Sequence, residues 1–307
     1  MAYYKLRSWI DKNKLRWGGL STNMSPGAIY LLENNPNKIN FSSLLINPSA
    51  ISIIEENIDT IIEYDTISLL SSNSNAIKLL EKYNNIINWK WLSRNRNAIH
   101  ILEANLDKIN WKELSINCNA CHLLEENIDK IDWNYLSCNE SPNAIKILRK
   151  YPDKINWENL SRNTSFEAIK LLEENLNKVS TLTISGNKNA INLIKKLFNK
   201  IDITYLSQNE NAADLLEEIH NSNNKSKLNW LWLCRNPGAI NLIKNNLNEK
   251  YEDGKSKIHW YELSSNPEIF ELDYEFLEKK MQIIKDELLE VVLNPRNEGK
   301  LWSFRDF

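Results

Sequence analysis

The residues best suited to chemistry in this chain are three cysteines and a histidine that lie close together in sequence. Cys118, Cys121 and His122 spell Cys-x-x-Cys-His, the pattern that attaches haem covalently. Together with Cys138 they also supply the ligand types that zinc prefers. A metal- or haem-binding protein is therefore one hypothesis for this sequence.

The surroundings of these residues favour a different explanation, because Leu-Ser-x-Asn and close variants of it recur eleven times at intervals of 22–30 residues. The Asn of the motif, called the phased Asn below, is Asn23, Asn47, Asn73, Asn95, Asn117, Asn139, Asn163, Asn187, Asn209, Asn236 or Asn266. A short fixed period predicts a repeat array. In this frame Cys121 occupies the slot held by Ile99 and Ile145, which indicates a small core residue. We therefore expect no cofactor.

Each repeat predicts two short helices. Asn97 is expected to cap a helix of about nine residues, and Asn110 a second helix of about five, with Glu113 completing a capping box. Helices this short are marginal in water alone, so stacking must stabilise them. The sequence predicts an all-α solenoid of about eleven two-helix repeats over residues 1–266. At roughly 8–10 Å between packed helices, its contour is about 90–110 Å.

Two residue types, Trp and Asn, each recur at a fixed position of their own in the repeat. Trp at positions 89, 111, 133, 157, 230 and 260 is expected to form a continuous ridge of core, with an exposed aromatic binding ladder as the alternative. The phased Asn has two structural interpretations. Its side-chain amide would bond the backbone of a neighbouring repeat, or it would end a helix in the left-handed conformation.

The two ends of the chain depart from the pattern. Leu6–Trp9 resembles the end of a worn first helix. A longer helical pattern runs from Asp273 to Leu293 and is ended by Asn294-Pro295, so residues 267–307 are expected to form a capping helix and tail. An amphipathic partner-binding helix is the alternative for this segment.

Composition narrows the function classes. A net charge of −2 makes nucleic acid an unlikely partner, and no stretch is long and apolar enough for a membrane span. The amino terminus does not resemble a secretory signal, and four sparse cysteines indicate a reducing compartment. No catalytic motif is present, so we expect a non-enzymatic protein that binds another protein.

One surface pattern is a candidate contact site for a protein partner. Three arginines share the slot before the phased Asn, and four basic side chains share an outward slot after Ala-Ile in consecutive copies. Stacking is expected to align them into a basic stripe of Arg94, His100, His122, Lys146, Arg162, Lys170 and Arg235. A solvated face balanced by nearby Glu is the alternative. A second candidate face is the edge carrying two insertions, Asn221–Leu228 and Lys250–Ile258.

The repeat unit Leu-Ser-x-Asn-x-Asn-Ala-Ile-x-Leu-Leu-Glu-x-Asn-x-Asp-Lys-Ile-x-Trp, cleanest over Leu92–Trp111 and Leu114–Trp133, resembles repeat proteins encoded by giant DNA viruses of the mimivirus type. The resemblance covers roughly residues 14–266. It implies a viral protein in the host cytoplasm or the virion, and it carries no catalytic residues. We expect a non-enzymatic protein-interaction scaffold; the alternatives are a virion structural protein, capsid-associated or a minor capsid component, and, more remotely, the metal or haem protein.

Overall fold

Two rows of short helical segments build the molecule. A computed structural model describes residues 3–293; the expected helix end at Asn294-Pro295 and the tail to residue 307 lie outside the described residues. The first row precedes the phased Asn of each repeat. Its members are Trp17–Thr22, Phe41–Leu44, the 3-10 segment Asp65–Ser72, Trp89–Arg94, Trp111–Leu114, Trp133–Ser137, Trp157–Arg162, Thr181–Ile184, Ile203–Leu206, Trp230–Arg235 and Trp260–Ser265.

The second row follows the phased Asn. Its members are Pro26–Glu33, Ile51–Glu56, Ile77–Lys82, Ile99–Glu103, Cys121–Glu126, Pro142–Lys150, Phe166–Glu173, Ile191–Lys196, Ala213–His220 and Ile240–Asn245. One-turn segments join the rows. They are Lys12–Lys14, Pro36–Lys38, Ile58–Ile61, Asn84–Ile86, Leu106–Lys108, Ile128–Lys130, Pro152–Lys154, Leu176–Lys178, Phe198–Lys200 and Lys225–Lys227, with three more after a phased Asn at Pro48–Ala50, Pro237–Ala239 and Pro267–Ile269.

The core lies between the two rows. Within one repeat Leu114 of the first row and Ala120 and Leu124 of the second are fully buried. These positions recur in every full repeat, so each repeat buries its apolar face against its neighbours. The predicted helical-repeat fold is confirmed in this respect.

Only part of the helix capping predicted from the sequence is observed. The side chain of Asn110 accepts a hydrogen bond from the Glu113 N–H, as expected for an N-cap. The capping box is wrong, because the Asn110 N–H donates to Ser93 Oγ of the preceding repeat at 2.9 Å. Asn97 is not a cap either: its side chain donates to the carbonyl oxygen of Ser74, across the repeat boundary.

The phased Asn residues form a ladder through the core. Asn117 is typical: its Nδ2 donates to the carbonyl oxygens of Ser93 and Asn95 at 3.0 and 3.1 Å, and its Oδ1 accepts the N–H of Asn119. All eleven phased Asn are buried and make the same three bonds. The ladder interpretation is therefore confirmed. The left-handed alternative is wrong, because among the described residues only Gly254 has positive φ.

The ladder closes on itself. Nδ2 of Asn23, in the first repeat, donates to the carbonyl oxygens of Ser264 and Asn266 in the last repeat at 3.0 and 2.9 Å. The backbone N–H of Arg16 likewise donates to Ser264 Oγ at 2.9 Å. The predicted solenoid is thus a closed ring of eleven repeats whose contour returns to its starting point.

A two-stranded sheet completes the seam between the first and last repeats. Strand β1, Tyr4–Leu6, pairs antiparallel with strand β2, Phe270–Leu272, with Lys5 opposite Glu271. The expectation of a worn helix at Leu6–Trp9 is wrong, because Leu6 ends strand β1 and Ser8 and Trp9 form a turn. The last repeat has no second-row helix, and the sheet takes its place.

Glycine permits the close packing at the seam. A Cβ on Gly19 would lie 2.4 Å from the carbonyl oxygen of Tyr261 and 2.9 Å from Ser264 Cβ. A Cβ on Gly27 would lie 2.4 Å from the ring of Phe270. Other repeats carry larger side chains at the position of Gly19, so these glycines mark the junction in the sequence.

Successive first-row helices pack more closely than successive second-row helices. In a closed ring the more closely spaced row lies inside, so the first row forms the inner wall and the second row the outer wall. The C-terminal helix, Tyr274–Leu293, lies beyond β2 and is present as expected. The face that we expected it to cap is occupied by the first repeat.

Candidate interaction surface

The slot before the phased Asn lies on the inner wall. Gln208, Arg235, Ser265 and Thr22 occupy this slot in four successive repeats, counted across the seam, and all four line one cavity of about 450 Å³. A second cavity of about 280 Å³ is lined by the same slot in Arg162, Gly186 and Gln208. Because side chains from several repeats converge on one space, the inner wall is concave.

The three arginines of the predicted stripe that belong to this slot all lie on the concave wall and are exposed. Arg162 bonds Glu158 of its own helix at 3.0 Å. Arg94 lies 3.9 Å from Glu113 of the next repeat. Among residues 3–293 Arg235 makes no ion pair within 4.0 Å. Within the described part of the chain, Arg235 therefore presents its charge to the interior of the ring without a carboxylate beside it, whereas Arg94 and Arg162 each lie next to one.

A buried carboxylate lies beside Arg94. Glu113 is only 4% exposed, and its Oε2 has no hydrogen-bond partner among the described residues. Its neighbours in the same slot of the flanking repeats are Trp91 and Tyr135. Burying a charge is unfavourable without a partner, so the nearby guanidinium group of Arg94 stabilises this arrangement.

The other four side chains of the predicted stripe lie on the outer wall. His100 Nε2 is 2.8 Å from Glu81, and His122 Nε2 is 2.8 Å from Glu103, each a Glu of the preceding repeat. Lys146 donates to Asn143 of its own helix, and Lys170 is exposed on the next outer helix. These outer charges are interleaved with carboxylates, as in the solvated-face alternative.

The predicted stripe is therefore two rows on opposite walls. Arg94 and Arg162 lie on the concave wall in repeats on either side of Cys138, which occupies the same slot. Burial raises the pKa of Cys138, and these two arginines partly offset the rise. The structure does not bring the arginines together with Lys146 or Lys170.

Aromatic side chains on the concave wall were missed by the sequence reasoning. Four of them share the slot four residues before the phased Asn: Trp91, Tyr135, Tyr205 and Trp232. Tyr205 and Trp232 stack edge to face with ring centroids 5.1 Å apart. All four are half-buried. Their common phase was the available signal, but the stronger Trp phase two residues earlier obscured it.

The stronger Trp phase is not a fully buried ridge. Trp230 is 2% exposed, but the other members of the series are half-buried and pack against the core from one side. The ammonium group of a Lys from the next repeat covers the open face of many of these rings; Lys130 Nζ lies 4.3 Å from the Trp111 centroid. The same contact crosses the seam, where Lys14 covers Trp260 at 5.4 Å.

The insertion edge is a distinct surface on the links between the walls. The two insertions lie next to each other, as expected from their equal phase. Glu249 joins them, because its carboxylate pairs with Lys225 of one insertion and Lys257 of the other. Both lysines hold the pKa of Glu249 below its usual value.

The residues of the haem-like motif lie in different environments in the fold. Cys121 is buried in an outer helix, where burial raises its thiol pKa. Cys118 is half-exposed, and His122 is engaged with Glu103. Over residues 3–293 the structure contains no group of three or more His, Cys, Asp or Glu side chains placed to hold a metal ion.

Comparison with protein-family models, curated proteins and solved structures finds no match to this chain. Within the described part of the chain, no helix is long and apolar enough to cross a membrane.

Proposed function

We propose that this chain is a non-enzymatic scaffold that binds an acidic segment of a partner protein on the concave wall of the ring. The observation that carries the proposal is the composition of that wall. It collects Arg94, Arg162 and Arg235 together with Trp91, Tyr135, Tyr205 and Trp232. Arg, Trp and Tyr are the residue types that most often dominate protein–protein binding energy.

Shape supports the same wall. Concave surfaces of repeat arrays are extended binding surfaces, and closure of the ring holds this one in a fixed curvature. The half-buried aromatic rings are already held by their neighbours, so a partner meets a preorganised surface. The arginines supply charge complementarity to an acidic segment, which favours fast and selective association.

Resemblance to giant-virus repeat proteins supports a viral scaffold in the host cytoplasm. A structural role in the virion is the second candidate function. The observation that favours it is the exposed C-terminal helix, a projecting element suited to assembly.

Selection from a random-peptide phage library, with the intact ring as bait, tests the proposed function. We expect acidic peptides with apolar or aromatic residues to be enriched. Fluorescence anisotropy then measures one selected peptide against three variants. The inner reversal Arg162→Glu/Arg235→Glu, which leaves Arg94 beside the buried Glu113, is expected to weaken binding by at least about tenfold, equivalent to about 1.4 kcal/mol.

The other two variants are matched controls for the competing faces. The outer reversal Lys146→Glu/Lys170→Glu and a deletion of 221–227 are expected to change affinity by less than about twofold, as for remote surface changes. Loss of binding in the outer reversal alone would instead support the outer row. Loss on deletion alone would identify the insertion edge. Failure to enrich acidic peptides contradicts the proposal.

A further inference from the structure

The C-terminal helix, Tyr274–Leu293, has an apolar side that no part of the ring covers. Met281 is 64% exposed, Ile284 47% and Leu288 61%. Contact with the ring is made near the start of the helix, where Phe276 stacks on Tyr3 and Lys280 bonds the Tyr3 hydroxyl. An amphipathic helix normally obtains its stability by packing its apolar side against a partner.

The spacing of the apolar residues is that of a coiled-coil seam. Tyr274, Leu277, Met281, Ile284 and Leu288 follow one another at alternating intervals of three and four residues. The opposite side of the helix is mostly polar, because Lys279 pairs with Glu275 and Gln282 donates to Asp286, although Ile283 on this side is 58% exposed. The seam therefore faces away from a solvated surface.

Charges beside the seam identify the partner. One flank carries Glu278 and Lys285, and the other carries Lys280 and Glu287. In a parallel pair of these helices Lys280 would lie beside Lys285 of the other copy, which is repulsive. In an antiparallel pair with Met281 opposite Ile284, Glu278 faces Lys285 of the other copy, and this pair occurs twice by symmetry. Both contacts are then attractive.

We propose that the C-terminal helices of two copies of this chain pair antiparallel and join two rings into a symmetric dimer. The flank with Phe276 and Lys280 stays against Tyr3 of its own ring. The seam and the flank with Glu278 and Lys285 face the second copy. Because the paired segment is short, the dimer is expected to be reversible and dependent on concentration.

Sedimentation equilibrium of the full chain over a concentration series tests this pairing. The unaltered chain is expected to show a monomer–dimer equilibrium. Glu278→Lys places like charges opposite each other twice and is expected to raise the dimer dissociation constant by about tenfold. Lys285→Glu should do the same. The double variant Glu278→Lys/Lys285→Glu exchanges the charges and is expected to restore the original affinity.

Two further variants make the outcome decisive. Ile284→Asp puts a charge into the seam and should abolish the dimer, while Asp286→Lys, on the polar side, should leave it unchanged. Circular dichroism checks that helix content is retained, and these side chains are exposed, so the ring should fold in every case. A monomer at all concentrations overturns the proposal, as does a dimer that ignores Ile284→Asp or is not restored by the charge exchange. Pairing is independent of the peptide-binding result.

Discussion

The side-chain amide of Asn23 donates a hydrogen bond to the backbone carbonyl of Asn266 at 2.9 Å, although the two residues are 243 positions apart. The same bond joins each of the other phased Asn to its predecessor only 22–30 positions away. The first repeat thus uses the last repeat as its neighbour. A chain with two free ends would leave the amide of Asn23 and the carbonyl of Asn266 without these partners.

Replacing a phased Asn should destabilise the ring strongly. Asn117→Ala removes the side-chain donor to the buried carbonyls of Ser93 and Asn95 and the acceptor of the part-buried Asn119 N–H; the Asn95 carbonyl keeps only its bond from the Ala98 N–H. We expect a loss of about 3 kcal/mol in the free energy of unfolding, measured by urea denaturation. Asn117→Asp should destabilise as well, because a carboxylate would face two carbonyl oxygens. Asn143→Ala, at an exposed position, should stay within about 0.5 kcal/mol of the unaltered chain.

Gly19→Ala should open the seam. The added Cβ would lie 2.4 Å from the carbonyl oxygen of Tyr261, so backbone must move. We expect a loss of about 1–3 kcal/mol and a larger radius of gyration by small-angle X-ray scattering. Ser43→Ala alters the same slot in the next repeat and should leave the radius unchanged. Equal stability and equal radius in the two variants would contradict the seam geometry.

The Lys–Trp contacts should be measurable as coupled pairs. Lys130→Met removes the ammonium group from the Trp111 face and should reduce stability by about 0.5–1 kcal/mol. Lys200→Met is the control, because the preceding repeat has Thr181 at the position of Trp111 and therefore offers Lys200 no aromatic face. Trp111→Ala should lower the free energy of unfolding by less than the loss of about 3–5 kcal/mol expected for a fully buried Trp. In the Trp111→Ala background Lys130→Met should have a smaller effect, because only its hydrogen bond to Asn127 is then lost.

Cys234 should make stability depend on alkaline pH. It replaces the Ser of Leu-Ser, its Sγ accepts the His259 N–H, and burial raises its pKa to about 12. In the unfolded chain a thiol titrates near about 8.5. The contribution of this thiol to the free energy of unfolding is therefore fully present below about pH 8.5. It is lost as the pH rises toward about 12, because over this range only the unfolded chain releases the proton.

The test for Cys234 compares the free energy of unfolding below about pH 8.5 with its value at about pH 10. At about pH 10 the loss from this thiol should reach about 2 kcal/mol. Cys234→Ser should remove that part of the loss, and it supplies the hydroxyl found in most other repeats. An unchanged pH dependence in Cys234→Ser would show that this thiol does not titrate with unfolding.

Local features of the fold follow from the sequence. The Leu, Ala and Leu phases predict which helix faces are buried, and the polar but invariant phase of Asn117 and its equivalents predicts the ladder. Both depend on contacts within a repeat or between adjacent repeats. Closure is different, because a small rotation added at each junction determines whether the ends meet. Gly19 was the local signal, since it leaves room for the last helix.

The candidate site was predicted in its residues but not in its arrangement. The slots of Arg94 and Lys146 are both exposed and both variable, which the repeat pattern shows. Which wall each slot lies on depends on which helix row is inside, and the pattern does not contain that information. The concave aromatic slot of Trp91 and Tyr205 was obscured for a similar reason, because a half-buried ring has the same sequence signal on either wall.

Energy transfer between fluorophores at the two ends of the array tests ring closure most directly. Labels on Ser8→Cys and Glu268→Cys, with Cys118 and Cys138 replaced by Ser, flank the paired strands. The ring predicts near-complete transfer in the native chain, because the backbone N–H of Arg7 bonds the carbonyl of Ile269 at 2.9 Å. Transfer should be lost in denaturant. An open array would separate the labels by roughly 80–100 Å at 8–10 Å per helix pair, and near-zero transfer in the native chain would contradict the closed ring.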